Sequence, residues 1–299
     1  MDHHHDERLW TPWRMRYITG GTREDGCIFC NRVERDDDVS SLIILRGEFC
    51  FIIMNLYPYN TGHVMIVPNQ HADDLAQLDN ATLHEMTDLL PITTNALRRV
   101  LRCEGFNIGF NLGAVAGAGV AAHLHQHIVP RWLGDANFLP LIGSTTALPE
   151  LIPATYAKIR AEIARELAAN DPREEHVSLV LLTDDDRTVL LENGRLPRIT
   201  VDAETSLWRG ALNHVSAFAT ELEIAGWAGP NRADDIHAAP AFVARGSRRP
   251  DATLPDGVRF VPLASVLDTE DRALLDRGFA QVAPRIAPPT AIDEVGDRS

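Results

Sequence analysis

The sequence has no apolar run of about 18 residues, the length that a membrane-crossing helix requires. Its opening, MDHHHDERLW, lacks the apolar core of a secretory signal. Both absences argue against a membrane-spanning or exported chain, and the expected compartment is the cytoplasm. Cysteine is scarce: four in 299 residues are too few for a disulfide framework in a chain this long. Basic residues are outnumbered, 28 Lys+Arg against 42 Asp+Glu, for a formal charge of −14. A surface of that sign offers no broad attraction to nucleic acid or to an anionic membrane, although a local amide-lined pocket can still hold phosphate. Internal repeats and long low-complexity tracts are missing as well. What is there is globular material, 45% hydrophobic and 23% charged, enough for two domains at roughly 100 to 200 residues each.

From Ser41 to Met54, SLIILRGEFCFIIM reads as two short strands parted by the polar turn Arg46-Gly47-Glu48. The Pro/Asn/Gly-rich loop NLYPYNTG follows, then the apolar strand HVMIVP. Leu75, Leu78, Leu83, Met86, Leu89 and Leu90 recur at helical spacing, and Pro91 is expected to kink or divide that helix. GFNIGFNLG alternates as a strand does, GAVAGAG is a glycine/alanine loop, and HLHQHIVP reads as the next strand. The pattern is α+β. A helix over LPELIPATYAKIRAEIARELAAN closes this unit near Asn170, which places a first domain at 1–169, a second at 170–286 and a charged, proline-containing tail at 287–299. In the second domain, VSLVLL and TVLLEN form a hairpin around Asp184 to Arg187. SLWRGALNHVSAFATELEIAG reads as one helix, and RFVPLASVL as a late strand before another helix.

Chemistry concentrates in two places. In a strand, His123, His125 and His127 share one face at about 7 Å spacing, with Leu124, Gln126 and Ile128 on the other. That is a set able to grasp a phosphate, a metal, or one of each. Three protonated rings this close would repel one another, so at least one is expected to be neutral near pH 7, where it can act as nucleophile or ligand. Histidines placed on a strand face by chance are the bland alternative. The second place is GCIFC, whose Cys27-x-x-Cys30 spacing in a cytosolic chain reads as a metal clip or a redox pair, with a reduced surface thiol pair as the plain alternative. Cys50 and Cys103 read as core thiols.

HLHQHIV resembles the His-x-His-x-His signature of the histidine triad (HIT) nucleotide-binding superfamily. The resemblance extends over LWTPWR (Leu9 to Arg14), GCIFC, NLYPYNTGHVMIVP (Asn55 to Pro68), GFNIGFNLG (Gly105 to Gly113) and PRWLGDANF (Pro130 to Phe138), covering residues 9 to about 160. It is nearest to the branch that includes diadenosine tetraphosphate phosphorylases and hydrolases. It implies an antiparallel sheet with helices, a homodimer, and an enzyme that cleaves or transfers a nucleoside monophosphate from a dinucleoside polyphosphate or related conjugate. By position, His125 would be the nucleophile that forms a nucleotidyl-histidine, and His127 would contact the phosphate or leaving group. Asn55 would hold the ribose, and Asn111 with the amides around Gly117, Ala118 and Gly119 would bind phosphate, glycine leaving backbone N–H groups open to an anion. The resemblance also implies a structural Zn²⁺ held by Cys27, Cys30, His71 and His123. Asn60 and His63 read as turn and strand-end residues, Arg131 as a rim arginine, and Trp10, Trp13 and Arg14 as packing for the N-terminal arm.

Three letters depart from that branch. Ala121 and Ala122 stand where acidic residues are common, and Gln126 where an apolar residue is common, which opens the choice of acceptor and leaving group. A phosphoramidase or nucleotidyltransferase of a specialised pathway is an alternative on these grounds. A non-catalytic nucleotide sensor is another, with the second domain meeting a partner. That domain faintly resembles a Nudix fold, whose REUxEE glutamates are missing here. Glu221 and Glu223 remain and, on a helix, would not share a face. A degenerate, non-hydrolytic domain is expected.

Overall fold

The computed structural model describes residues 25–116, 119–135, 150–168, 176–183, 186–230 and 239–281. LWTPWR, Gly117, Ala118 and the tail from 287 lie outside the described residues. The described residues form two compact units, one up to residue 168 together with Pro230, the other comprising the remainder from His176 onward.

The first unit is built on an antiparallel sheet of β1 (Ile43–Arg46), β2 (Cys50–Met54), β3 (Val64–Pro68), β4 (Gly105–Phe110) and β5 (Gln126–Arg131), in the order β1-β2-β3-β5-β4. Every residue of β2 and β3 is buried, as continuous apolar runs demand when both faces are covered. Phe51 and Ile53 pair with Val67 and Met65 and join Phe29 and Ile43 in one apolar cluster. Cys50, Ile52 and Met54 take the opposite face, where Cys50 Sγ meets Thr82 O of helix α3 (Asn80–Leu101). Helices α1 (Ile28–Glu34) and α2 (Asp38–Ser41) precede the sheet, and α4 (Ile152–Ala168) follows it. The Tyr156 hydroxyl in α4 donates to Ile43 O at 2.9 Å and accepts from Arg160, tying that helix to β1.

Helix α3 continues through Pro91, so the proline does not divide it. Asp79 caps its start by accepting from Thr82 N at 2.8 Å. Met86, Leu89, Thr93, Ala96, Leu97 and Val100 bury one stripe spanning the proline. Pro91 sits on the exposed side, as does Thr87, whose carbonyl loses its partner, so water can satisfy it. The β2–β3 loop turns on Gly62, at φ +76°, where a Cβ would collide with the Leu101 side chain of α3.

A second correction concerns HLHQHIVP. The ladder begins only at Gln126, and His123 to His125 approach it in irregular backbone, held where Leu124 N donates to Ala72 O at 2.6 Å. Gln126 pairs with Ile66 and Phe110, and His127 with Met65 and Gly109. Paired residues share a face, so His127 lies on the Phe29 side of the sheet and Gln126 on the α3 side.

The second unit has β6 (His176–Thr183), β7 (Thr188–Glu192), β8 (Arg198–Thr200), β9 (Ala219–Trp227), β10 (Ala241–Arg248) and β11 (Val258–Pro262), with helices α5 (Leu207–Val215) and α6 (Thr269–Gln281). The sheet order is β11-β7-β6-β10-β9, with β8 also on β6, and β6 and β10 run parallel. Val180, Leu182, Val189, Leu191 and Val243 pack with Leu274 and Leu275 of α6. The single helix expected over 206–226 is instead α5 followed by β9. The run ATELEIAGW pairs with β10 along its length, and the tertiary ladder overrides the helical spacing. Glu221 and Glu223 therefore stand exposed on a strand, not on a helix.

Candidate functional site

The three histidine rings converge although only His127 belongs to the ladder. His125 and His127 have ring centroids 4.7 Å apart, and all three rings are buried. His125 Nδ1 lies 2.8 Å from His123 O, and a carbonyl can only accept, so Nδ1 carries the proton. Nε2 is then the lone-pair nitrogen, and it has no hydrogen-bond partner among the described residues.

A second tautomer chain starts in the β2–β3 loop. Tyr59 N donates to His63 Nδ1 at 3.1 Å, and Asn55 Nδ2 reaches the same nitrogen at 3.3 Å. Neutral His63 must therefore carry its proton on Nε2, which donates to His127 Nδ1 at 2.9 Å. His127 in turn presents Nε2–H, and the Asn111 amide lies 3.3 Å from it. With Nε2 a donor, the amide oxygen is the end that suits this contact. Tyr59 lies stacked over His127 at 5.8 Å and is half exposed. Burial and the neighbouring His127 and His125 push His63 down to about 3. Burial, then His125, pushes His127 down to about 4. His125 is lowered by burial against its bond to His123 O. At neutral pH the set is uncharged, which presents a nucleophilic nitrogen and an N–H donor side by side.

The other cluster joins the CxxC to the first histidine. Ligand atoms of Cys27, Cys30, His71 and His123 all lie within 4.8 Å of one another. Cys27 Sγ is 3.2 Å from His123 Nδ1, and Cys30 Sγ is 3.4 Å from His71 Nδ1 and 3.7 Å from His123 Nδ1. Tetrahedral zinc with bonds of 2.0 to 2.3 Å separates its ligands by about 3.3 to 3.8 Å. His123 Nε2 donates to Pro68 O at 3.0 Å, which leaves Nδ1 as a lone pair aimed at the sulfurs. The donor set fits a metal ion.

A family model described as the HIT domain matches residues 37–132. The chain is 38% identical over 170 residues to a protein named "AP-4-A phosphorylase" from Mycobacterium tuberculosis (strain H37Rv), covering 54% of this chain and 86% of that protein. The chain belongs to the HIT family. It is also 28% identical over 114 residues to "Adenylylsulfatase HINT3" of Arabidopsis thaliana, covering 38% of this chain and 56% of that one. Among solved structures, a zinc-bound histidine triad family protein from Mycobacterium smegmatis is similar at 26% identity and TM-score 0.40, covering 48% of this chain and 97% of that one.

Around this HIT site the remaining residues divide clearly. Asn55 has both ends of its amide engaged, Nδ2 on His63 and Oδ1 accepting from Tyr57 N at 2.9 Å. It organises the loop as well as bordering the site. Gly119 has open space where a Cβ would stand, while Ala121 and Ala122 are exposed. Arg131 is not free at the rim: Asp135 takes its Nε and Nη2 at 2.7 and 2.6 Å. Asn60 joins the same knot through Asp135 and Pro130 O, a structural role. His63 is the residue that sequence reasoning undervalued. It ends the loop four residues after Tyr59, and only the β3–β5 pairing brings it against His127.

Proposed function

We propose that this HIT protein is an enzyme that transfers a nucleoside monophosphate by way of a nucleotidyl-histidine on His125. The observation that carries the reading is the His125 Nδ1–H bond to His123 O, which leaves Nε2 unprotonated and without a hydrogen-bond partner among the described residues. That nitrogen attacks the α-phosphorus of a dinucleoside polyphosphate, a P–N bond forms, and the P–O bond to the remaining phosphates breaks. His127 contributes Nε2–H to the phosphate oxygens or the departing group, held in that tautomer by His63. Asn55 takes the ribose, and Asn111 with the amides around Gly117, Ala118 and Gly119 takes the phosphate. Water, phosphate or another acceptor then attacks phosphorus and releases His125. The relative named "AP-4-A phosphorylase" supports phosphate as acceptor. Ala121 and Ala122 withhold carboxylates beside the phosphate and bear on that choice.

Cys27, Cys30, His71 and His123 would hold zinc, whose contribution is structural: it clips the N-terminal segment to the approach of the triad. We further propose that residues 1–169 are the catalytic domain and 170–286 a non-hydrolytic, degenerate Nudix-like domain. A homodimer would form through β4, the sheet's edge strand, which exposes Ile108 beside exposed Leu112. Among the described residues no helix is long and apolar enough to cross a membrane. The cytoplasm is the proposed compartment, and small nucleotides rather than nucleic acid are the proposed partners.

The test mixes the protein briefly with diadenosine tetraphosphate and quenches in acid for peptide mass spectrometry. An adenylylated peptide containing His125, absent in His125→Gln, is expected. Phosphate added to the wild type should yield ADP. Absence of the adduct with every nucleotide conjugate tried would overturn the enzyme reading.

A further inference from the structure

We infer that Phe29, inside the Cys27-x-x-Cys30 clip, is the positioning residue that seats the ring of His125. This rests on His125 being the nucleophile proposed above. Phe29 is 4% exposed, and its ring lies 5.1 Å from that of His125 at 48° and 5.4 Å from that of His123 at 71°. The only hydrogen bond to the His125 side chain among the described residues is Nδ1–H to His123 O. That bond selects the tautomer and steadies the ring at its Nδ1 edge, leaving the Nε2 edge to be held by packing. Two rings pack against it, His127 at 4.7 Å and Phe29 at 5.1 Å. In-line attack needs Nε2 aimed to within a fraction of an ångström, so the second ring contact matters to rate more than to binding.

What holds Phe29 there is the clip. Helix α1 has seven residues, and its N-cap, Cys27, makes no side-chain capping bond. A helix that short has little stability of its own. Its place comes from Phe29 in the cluster with Ile43, Phe51, Ile53 and Met65, and from the two sulfurs against His71 and His123. The sulfurs at positions 27 and 30 bracket residue 29 and hold its backbone, while the apolar cluster holds its ring. The four-residue clip thus reaches the nucleophile twice, through the His123 main chain and through the Phe29 ring.

The experiment uses the full chain loaded with zinc. In Phe29→Leu the metal content should remain about one per chain, and affinity for AMP should stay within about twofold. Single-turnover formation of adenylyl-His125 from diadenosine tetraphosphate should fall on the order of ten- to a hundredfold. The substrate-free readout is the order of the His125 ring by NMR relaxation, which should drop in Phe29→Leu. If ring order stays at the wild-type level, or drops while the single-turnover rate is unchanged, the positioning role is refuted. Should the wild type form no adenylyl-histidine at all, the functional reading falls and ring order alone still decides this one. Cys30→Ser should lower ring order in the wild type and add nothing in the Phe29→Leu background; a further drop there would overturn the link to the clip. Phe29→Met, unbranched and close in size, gives the same comparison if leucine opens the cluster.

Discussion

Acidification from pH 7 to pH 5 should weaken the β3–β5 pairing through His63, and the size of the effect follows from burial. His63 is fully buried and bonded to His127 at 2.9 Å. In the unfolded chain both rings titrate near 6.5, whereas in the fold His63 is pushed to about 3 and His127 to about 4. Above pH 6.5 both states are neutral and the full stability is present. Below 6.5 the unfolded chain takes up protons that the fold refuses, so stability falls with falling pH until the folded values near 4 and 3 are reached. The slope is at most about 1.4 kcal/mol per pH unit for each ring. At pH 5, about 1.5 units below the unfolded value, each ring costs about 2 kcal/mol, a large part of a typical stability of 5–15 kcal/mol. His63→Gln keeps an N–H donor for His127 Nδ1 and removes one titrating ring. Hydrogen exchange of the β3 and β5 amides across a urea series at pH 7, 6 and 5 should show the wild type losing about 2 kcal/mol more than the variant. Protonation of the other histidines, or loss of a metal, acts on both proteins and cancels in the difference. Parallel curves, with a difference under about 0.5 kcal/mol at pH 5, would refute the claim that burial keeps His63 neutral.

Three further outcomes are expected. Gln126 is 9% exposed, and its Oε1 has no partner among the described residues; Gln126→Leu should raise stability by about 1 kcal/mol in urea titration while adenylyl transfer persists. Cys30→Ser should reduce zinc in tag-free protein to below about half an equivalent and lower the melting temperature; full retention would reject the site. Ile108→Lys on the edge strand should convert the proposed dimer to monomer in sedimentation, and a dimer that persists in the variant would move the interface elsewhere.

The succession of strands along the chain of the first unit was legible because β2 and β3 are apolar throughout and are punctuated by Gly47 and the NLYPYNTG loop, whereas the sheet order was not. Where reading failed, a local pattern met a tertiary partner. The spacing in SAFATELEIAG suits a helix, yet residues 219–227 pair with β10. Pro91 was expected to kink or divide a helix that is not divided, because the proline faces solvent and apolar residues on both sides of it are buried. Arg131 read as a plain rim arginine, and only the structure shows Asp135, four residues on, holding it bidentately. The HIT signature was legible in full, because the spacing of its histidines and cysteines survives in one dimension.

By itself, then, the sequence recorded the candidate side chains: three alternating histidines, a CxxC, a histidine after the VxP strand, and the asparagines of two loops. Tertiary structure alone decided what each of them does to its neighbour. Tautomers depend on which atom a carbonyl or N–H faces, and that is a matter of distances across 64 residues for His63 and His127 and 96 residues for Cys27 and His123. Hydrogen bonds and ring contacts act over a few ångströms in space, and a linear chain records spacing along itself, so the roles of His63 and Phe29 emerge only once the sheet brings them to the triad.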